Sequence, residues 1–139
     1  MKPIIREICQ RDLIDVNNLL QDVSAFHAKP SELDSWYYDY LNDKHCYCAV
    51  AVCSDDNLCI GAASIFYNHR IRGGISASIE DVVVHRSYRG LSIGSLLIKH
   101  LIDRSAFCFK FTLQCQSAVF PFYSSLGFVQ KDLNTVYFP

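Results

Sequence analysis

The chain opens on a short apolar run, PIIREI (residues 3–8), which predicts a first strand. Over residues 11–26 the apolar positions Leu13, Ile14, Val16, Leu19, Leu20 and Val23 recur at helical spacing. A second helix is expected to open at Ser31, behind Pro30, with Asp34 three residues on. Its apolar stripe is Leu33, Trp36, Tyr37, Tyr40 and Leu41. CYCAVAVC (46–53) is apolar throughout, the pattern of a strand covered on both faces. SDDN then turns the chain into a second strand, LCIGAASIFY (58–67), to make a hairpin. A basic glycine-containing loop, NHRIRGG, leads to the strand ISASIEDVVV (75–84). SIGSLLIKHLIDRSAF (92–107) reads as a helix with Ile93, Leu96, Leu97, Leu101 and Ile102 on one face. FCFKFTLQC (107–115) alternates as a strand does, with Phe107, Phe109, Phe111 and Leu113 expected inward. AVFPFYSSLG reads as a short helix, with Pro121 in its first turn and Gly127 as a left-handed cap. FVQ and NTVYF are expected as final strands.

The element order is therefore β-α-α-β-β-β-α-β-α-β-β. It describes a mixed, mostly antiparallel sheet with helices on its faces, an α/β (α+β) fold. The unit spanning residues 79–115 is long enough for a parallel crossover. At 139 residues, without repeat, linker or low-complexity stretch, the chain is one domain, 1–139.

Composition narrows the function. Half the residues are hydrophobic and 19% charged, as in a globular chain. The formal net charge of -1 gives no global attraction to nucleic acid or an anionic membrane, so an anionic ligand needs a local cationic cluster. No apolar run approaches the ~20 residues of a membrane span, and MKPIIREICQ lacks a signal-peptide core. The seven cysteines are odd in number and mostly sit in apolar runs, so they are expected as reduced, buried thiols of a cytoplasmic protein. HCYC (45–48) has no second ligand pair at zinc-like spacing, and no metal is expected.

The candidate chemistry lies in IEDVVVHRSYRGLSIGSLL (79–97). A strand passes into a helix through a loop of glycines, serines and two arginines. A helix N-terminus offers unpaired N–H groups and partial positive charge, glycine lets an anion approach, and Arg86 and Arg89 add charge. The loop is neither a P-loop nor a three-glycine dinucleotide fingerprint. RGLSIG (89–94) instead resembles the Arg/Gln-x-x-Gly-x-Gly/Ala pyrophosphate loop of the GCN5-related N-acetyltransferases. FYSSLGF (122–128) resembles that family's later Tyr-x-x-x-Gly-Phe signature. IEDVVV, FKFTLQC and FYSSLGF taken together are similar to the glucosamine-6-phosphate N-acetyltransferases within it.

The resemblance implies an acetyl-CoA-dependent transfer of an acetyl group to the amine of D-glucosamine 6-phosphate, a step of UDP-GlcNAc biosynthesis. It implies a splayed strand whose Val82, Val83 and Val84 backbone meets the acyl group and pantetheine. Arg89, Gly90, Leu91, Ser92, Ile93, Gly94 and Ser95 would hold the pyrophosphate. Glu80 and Asp81, on opposite faces of a regular strand, would hold the sugar and accept the ammonium proton. Tyr123 would be the general acid at the leaving sulfur. Ser24, Arg70, Arg72, Phe109 and Lys110 would contact the sugar phosphate. The five histidines show no triad-like arrangement and none is assigned. Gln114 and Val119 depart from the pattern, and Phe138 stands near the place of an arginine that reaches the sugar phosphate across a dimer. A homodimer is expected. The alternatives are a related transferase acting on a polyamine, an amino acid or a protein lysine, and a non-catalytic acetyl-CoA-binding module.

Overall fold

A computed structural model describes residues 1–139. The elements are β1 (Pro3–Glu7), α1 (Leu13–Leu19), α2 (Pro30–Asn42), β2 (Cys46–Cys53), β3 (Cys59–His69), β4 (Ile75–Val84), α3 (Ile93–Arg104), β5 (Lys110–Leu113) and α4 (Phe120–Ser125). They build a five-stranded sheet in the order β1-β2-β3-β4-β5. The first four strands are antiparallel and β5 joins β4 in parallel through α3. This is the mixed sheet with flanking helices that the hydropathy pattern predicts.

β2 is buried at nearly every position because both of its faces are covered. On one face, Ala49, Ala51, Ile60, Ala63, Ile65, Ala77 and Ile79 meet Ile93, Leu97, Ile98 and Leu101 of α3. The alanines let the helix approach closely. Gly61 carries the same need further: a Cβ there would lie 3.1 Å from the Val83 carbonyl and 3.2 Å from a Leu97 methyl. On the other face, Cys48, Val50, Val52, Ala62 and Val83 pack against Leu13, Leu19 and Tyr40 of α1 and α2. Two cores on either side of one sheet account for the run of apolar strands.

Several expectations are corrected. The two final strands are absent: beyond Phe128 the chain is irregular, and Val129, Leu133, Val136, Tyr137 and Phe138 are exposed. An apolar run becomes a strand only when it pairs with a neighbouring edge, and residues beyond Phe128 pair with none, although the outer edge of β5 is free. β5 is confined to Lys110–Leu113, and Phe107 and Phe109 are exposed rather than inward. Phe107 instead packs on Tyr67 at the sheet's end, with ring centroids 5.1 Å apart. The first helix is short, Leu13–Leu19, flanked by 3-10 turns at Gln10–Asp12 and Leu20–Asp22. The second starts one residue early, with Pro30 in its first turn and the Glu32 carboxylate accepting from the Lys29 N–H at 2.7 Å. Leu96 faces solvent, and Ile98 takes the buried position. All seven cysteines are free, but Cys115 is exposed.

Candidate active site

The site begins where pairing stops. β5 pairs with β4 only from Ser76–Lys110 to Ile79–Leu113. Beyond Ile79 the strands separate, so the edge of β4 from Glu80 to Val84 has no strand partner on that side. A bulge sits at the same place: across from β3, Ala62 matches Val83 and Ser64 matches Glu80, leaving Asp81 and Val82 opposite Ala63 alone. Asp81 takes the left-handed conformation, φ 55°, which aspartate tolerates better than most residues. A regular strand would aim Glu80 and Asp81 at opposite faces. The bulge breaks that alternation at Asp81, and both residues line one cleft.

The cleft holds about 1170 Å³. That exceeds the roughly 300–1,000 Å³ usual for one small ligand. Its walls are Ile79–Val84, the loop and first turn of α3, Leu113–Gln116 of the diverging β5 end, and Phe122 and Tyr123 of α4.

The loop forms the far end. The backbone N–H groups of Gly90 through Ser95 donate to no acceptor in the protein, whereas the next, Leu96 N–H, bonds the Ser92 carbonyl at 3.1 Å. Gly90 (φ 79°) and Ser92 (φ 62°) are both left-handed and turn this row of donors inward. Gly94 lets Phe122 pack closely on the helix start: a Cβ would lie 3.1 Å from the Phe122 ring, which would have to give by a few tenths of an ångström. Arg89 is fixed beside the row. Its Nε donates to the Val84 carbonyl at 3.0 Å and its Nη2 to Asp22 at 2.9 Å. Arg86 donates to the other Asp22 oxygen at 3.1 Å. The two arginines hold the Asp22 carboxyl below the usual carboxylate range.

The middle of the cleft carries the titratable groups. Burial by the surrounding wall pushes Asp81 up, and burial with the neighbouring Asp81 charge pushes Glu80 up, although both side chains still reach solvent. Neither carboxylate has a cationic partner within the chain. Tyr123 is 6% exposed and held edge-on between Phe122 and Phe128. Its hydroxyl makes no hydrogen bond to the protein, yet no buried side-chain oxygen is left unpaired, so the hydroxyl opens on the cleft. Burial raises its pKa and keeps it protonated.

Among the residues singled out from the sequence, Glu80 to Val84, Arg89, Gly90, Ser92 to Ser95 and Tyr123 come together here. The others do not line the cleft. Leu91 points to solvent. The Ser24 hydroxyl accepts from the Phe26 N–H at 3.1 Å and closes a local turn. Arg70 donates to Ser76 at 2.9 Å, and exposed Arg72 sits at the tip of the β3–β4 hairpin. Phe109 covers Gly74, and Lys110 stands beside Ser76 at the paired end of β5. Among the lining residues that sequence reasoning did not assign are Asp22, Phe122, Asn134 and the run Leu113–Gln116. Phe122 had a signal in the motif around Tyr123. Asp22 had none, since its partners lie 64 and 67 residues away.

The profile of the Acetyltransferase (GNAT) family matches residues 13–128. A glucosamine 6-phosphate N-acetyltransferase of Trypanosoma brucei brucei is 44% identical over 73 residues, covering 50% of this chain and 50% of its own. Glucosamine 6-phosphate N-acetyltransferase 1 of Dictyostelium discoideum is 36% identical over 95 residues, covering 65% of this chain and 60% of its own. The chain thus aligns with less than two thirds of the length of these curated relatives. The crystal structure of glucosamine-6-phosphate N-acetyltransferase from Arabidopsis thaliana superposes with TM-score 0.91 at 21% identity, over 99% of both chains, and shares the fold. The matched profile covers most of the chain, including the loop, the splayed strand and Tyr123, and the chain belongs to the acetyltransferase (GNAT) family.

Proposed function

We propose that this protein is an acetyl-CoA-dependent N-acetyltransferase that acetylates the amine of D-glucosamine 6-phosphate, the kind of step that feeds UDP-GlcNAc synthesis. The carrying observation is the junction of three features in one cleft: a bare row of N–H donors, an unpaired strand edge, and a carboxylate pair with a buried tyrosine among the lining residues. The donor set fits coenzyme A. Gly90 to Ser95 with Arg89 suit a pyrophosphate, nothing within 4 Å of Gly90 would obstruct it, and the edge from Val82 to Val84 suits an amide-bearing arm.

Acetyl-CoA supplies an activated thioester, and the chain supplies the rest. The His85 N–H donates to Ile60 across β3, so by strand alternation the Val84 backbone faces the open side. A fixed N–H on that edge, aimed at the thioester oxygen, stabilises charge as it develops. Glu80 or Asp81, with pKa raised toward neutrality, takes the proton from the substrate ammonium so that the free amine attacks. Tyr123 gives its proton to the departing thiolate and is reprotonated, directly or through water, by the second proton that the amine nitrogen loses as the amide forms. An amide forms, a thioester breaks, and coenzyme A leaves as a thiol.

One observation favours a second reading. Asp22, Glu80 and Asp81 line the cleft with Arg89 as the accompanying cation, while Arg70, Arg72 and Lys110 stand outside it. This suits a cationic acceptor without phosphate, such as a polyamine, an amino acid or a protein lysine. A homodimer would reconcile the charges with the sugar phosphate, and the exposed Val136, Tyr137 and Phe138 support one. Free cysteines fit a reducing cytoplasm.

The test is thiol release from acetyl-CoA with glucosamine 6-phosphate beside glucosamine, a polyamine and a lysine peptide. Phosphate-dependent turnover supports the first reading. Turnover only with another amine moves the assignment to the second. Binding of acetyl-CoA without turnover on any amine refutes both and leaves a binding module.

A further inference from the structure

Asp22 ends the 3-10 turn after α1, ahead of the segment that leads to α2. That segment is tied at its far end, where the Asn17 amide donates to the Ala28 carbonyl at 3.0 Å and accepts from the Ala28 N–H at 3.2 Å. At its near end the Asp22 carboxylate accepts from Arg86 on both oxygens, at 3.1 and 3.4 Å, and from Arg89 on one of them at 2.9 Å. Asp22 also stands between the main cleft and a second cavity of about 440 Å³ that contains Arg86 and His85.

We propose that Asp22 is a positioning residue: its carboxylate fixes Arg89 across the mouth of the cleft, beside the bare N–H row, and ties the α1–α2 segment to the phosphate loop. This rests on the coenzyme A reading above. Arg89 has 54% of its side chain exposed, so alone it would be free to swing into solvent. Two anchors prevent that, Val84 on the strand edge and Asp22 from the opposite wall. A guanidinium already fixed loses less freedom when it meets an anion, and so binds it more tightly.

A competing effect has the opposite sign. The Asp22 charge repels phosphate, so removing it would tighten binding if charge alone mattered. Two guanidiniums against one carboxylate already leave the cluster net positive, and bulk salt screens exposed charge. Orientation therefore decides, and neutralising Asp22 weakens coenzyme A.

The experiment is calorimetric binding of coenzyme A, without turnover, to the native chain, Asp22→Asn, Asp22→Glu, Arg89→Ala and the Asp22→Asn/Arg89→Ala double variant. Melting temperatures serve as a check on folding. Asp22→Asn is expected to raise Kd about five- to tenfold, and Asp22→Glu to raise it less. In the Arg89→Ala background, Asp22→Asn is expected to add nothing, because its effect runs through Arg89. Unchanged or tighter binding by Asp22→Asn overturns the proposal, as does an equal loss in the Arg89→Ala background. A native chain that binds no coenzyme A takes the acetyltransferase reading down too. A native chain that binds, with Asp22→Asn binding equally well, sinks this proposal alone.

Discussion

Ser92 occupies the position where the phosphate-loop pattern calls for glycine, and it holds φ 62° and ψ 14°. An L-residue in that region crowds its Cβ against the following carbonyl, at roughly 1–2 kcal/mol. Aspartate and asparagine soften this by local hydrogen bonds, but the Ser92 hydroxyl makes none to the helix it caps. Ser92→Gly removes the crowding. Against this, glycine is freer in the unfolded chain, which costs about 0.5–1 kcal/mol. The difference is a net gain of about 0.5–1 kcal/mol. For a domain of this size that raises Tm by about 2–3 °C. The assay is calorimetric melting of the native chain, Ser92→Gly and Ser92→Ala at one pH. Ser92→Ala keeps the Cβ and should bring no gain, which separates backbone relief from loss of the hydroxyl. A Ser92→Gly melt at or below that of Ser92→Ala would refute the reasoning. The backbone donors are the same in both, so coenzyme A affinity should stay within about threefold.

Three further outcomes are expected. Tyr123→Phe keeps the aromatic packing between Phe122 and Phe128 and breaks no hydrogen bond within the chain, so Tm should hold while kcat falls on the order of 10²-fold in a thiol-release assay. Arg6→Met strands Asp12, which Arg6 grips at 2.7 and 2.9 Å and whose side chain is 4% exposed, and should cost about 2–4 kcal/mol by urea unfolding. Burial, with help from Arg104, lowers the pKa of His100 below its usual 6.5. The folded state therefore resists protonating it, so its contribution to stability is intact above pH 6.5 and shrinks as pH falls toward the depressed value. Replacing it by Gln should flatten the Tm decline as pH falls below about 6.5.

Element types were legible because their signals are local. The doubly apolar CYCAVAVC became the buried β2, and the loop after VVV opened α3 at Ile93. The misses arose where a segment's state depends on a neighbour that sequence does not specify. TVYF has strand composition, but it pairs with no edge of the sheet, not even the free outer edge of β5. Phe109 alternates like a core residue, yet it lies beyond the paired part of β5 and covers a hairpin glycine instead. Arg70 and Lys110 were attractive as phosphate ligands because they are basic. Only the register, which sets Lys110 beside Ser76 and four residues from Glu80, shows them roughly 13 Å along the strand from the carboxylate pair.

The site departs from local rules at the two places where its chemistry is concentrated. Alternation along β4 requires Glu80 and Asp81 to diverge, and loop sterics disfavour a serine at residue 92. Both positions are nonetheless left-handed, and both line the cleft. Each irregularity has a geometric effect that a regular element would not give. The bulge at Asp81 breaks the alternation beside two cleft-lining carboxylates and coincides with the point where β5 leaves β4. The left-handed residues at 90 and 92 turn a row of N–H groups toward the same opening. Backbone strain of this kind persists only where the surrounding fold enforces it. Here α3 does so, since it packs closely on Gly61, where a Cβ would lie 3.2 Å from Leu97 and 3.3 Å from Ile93, and its N-terminus follows directly on the phosphate loop. The core that stabilises the sheet is thus the same core that holds the cleft open.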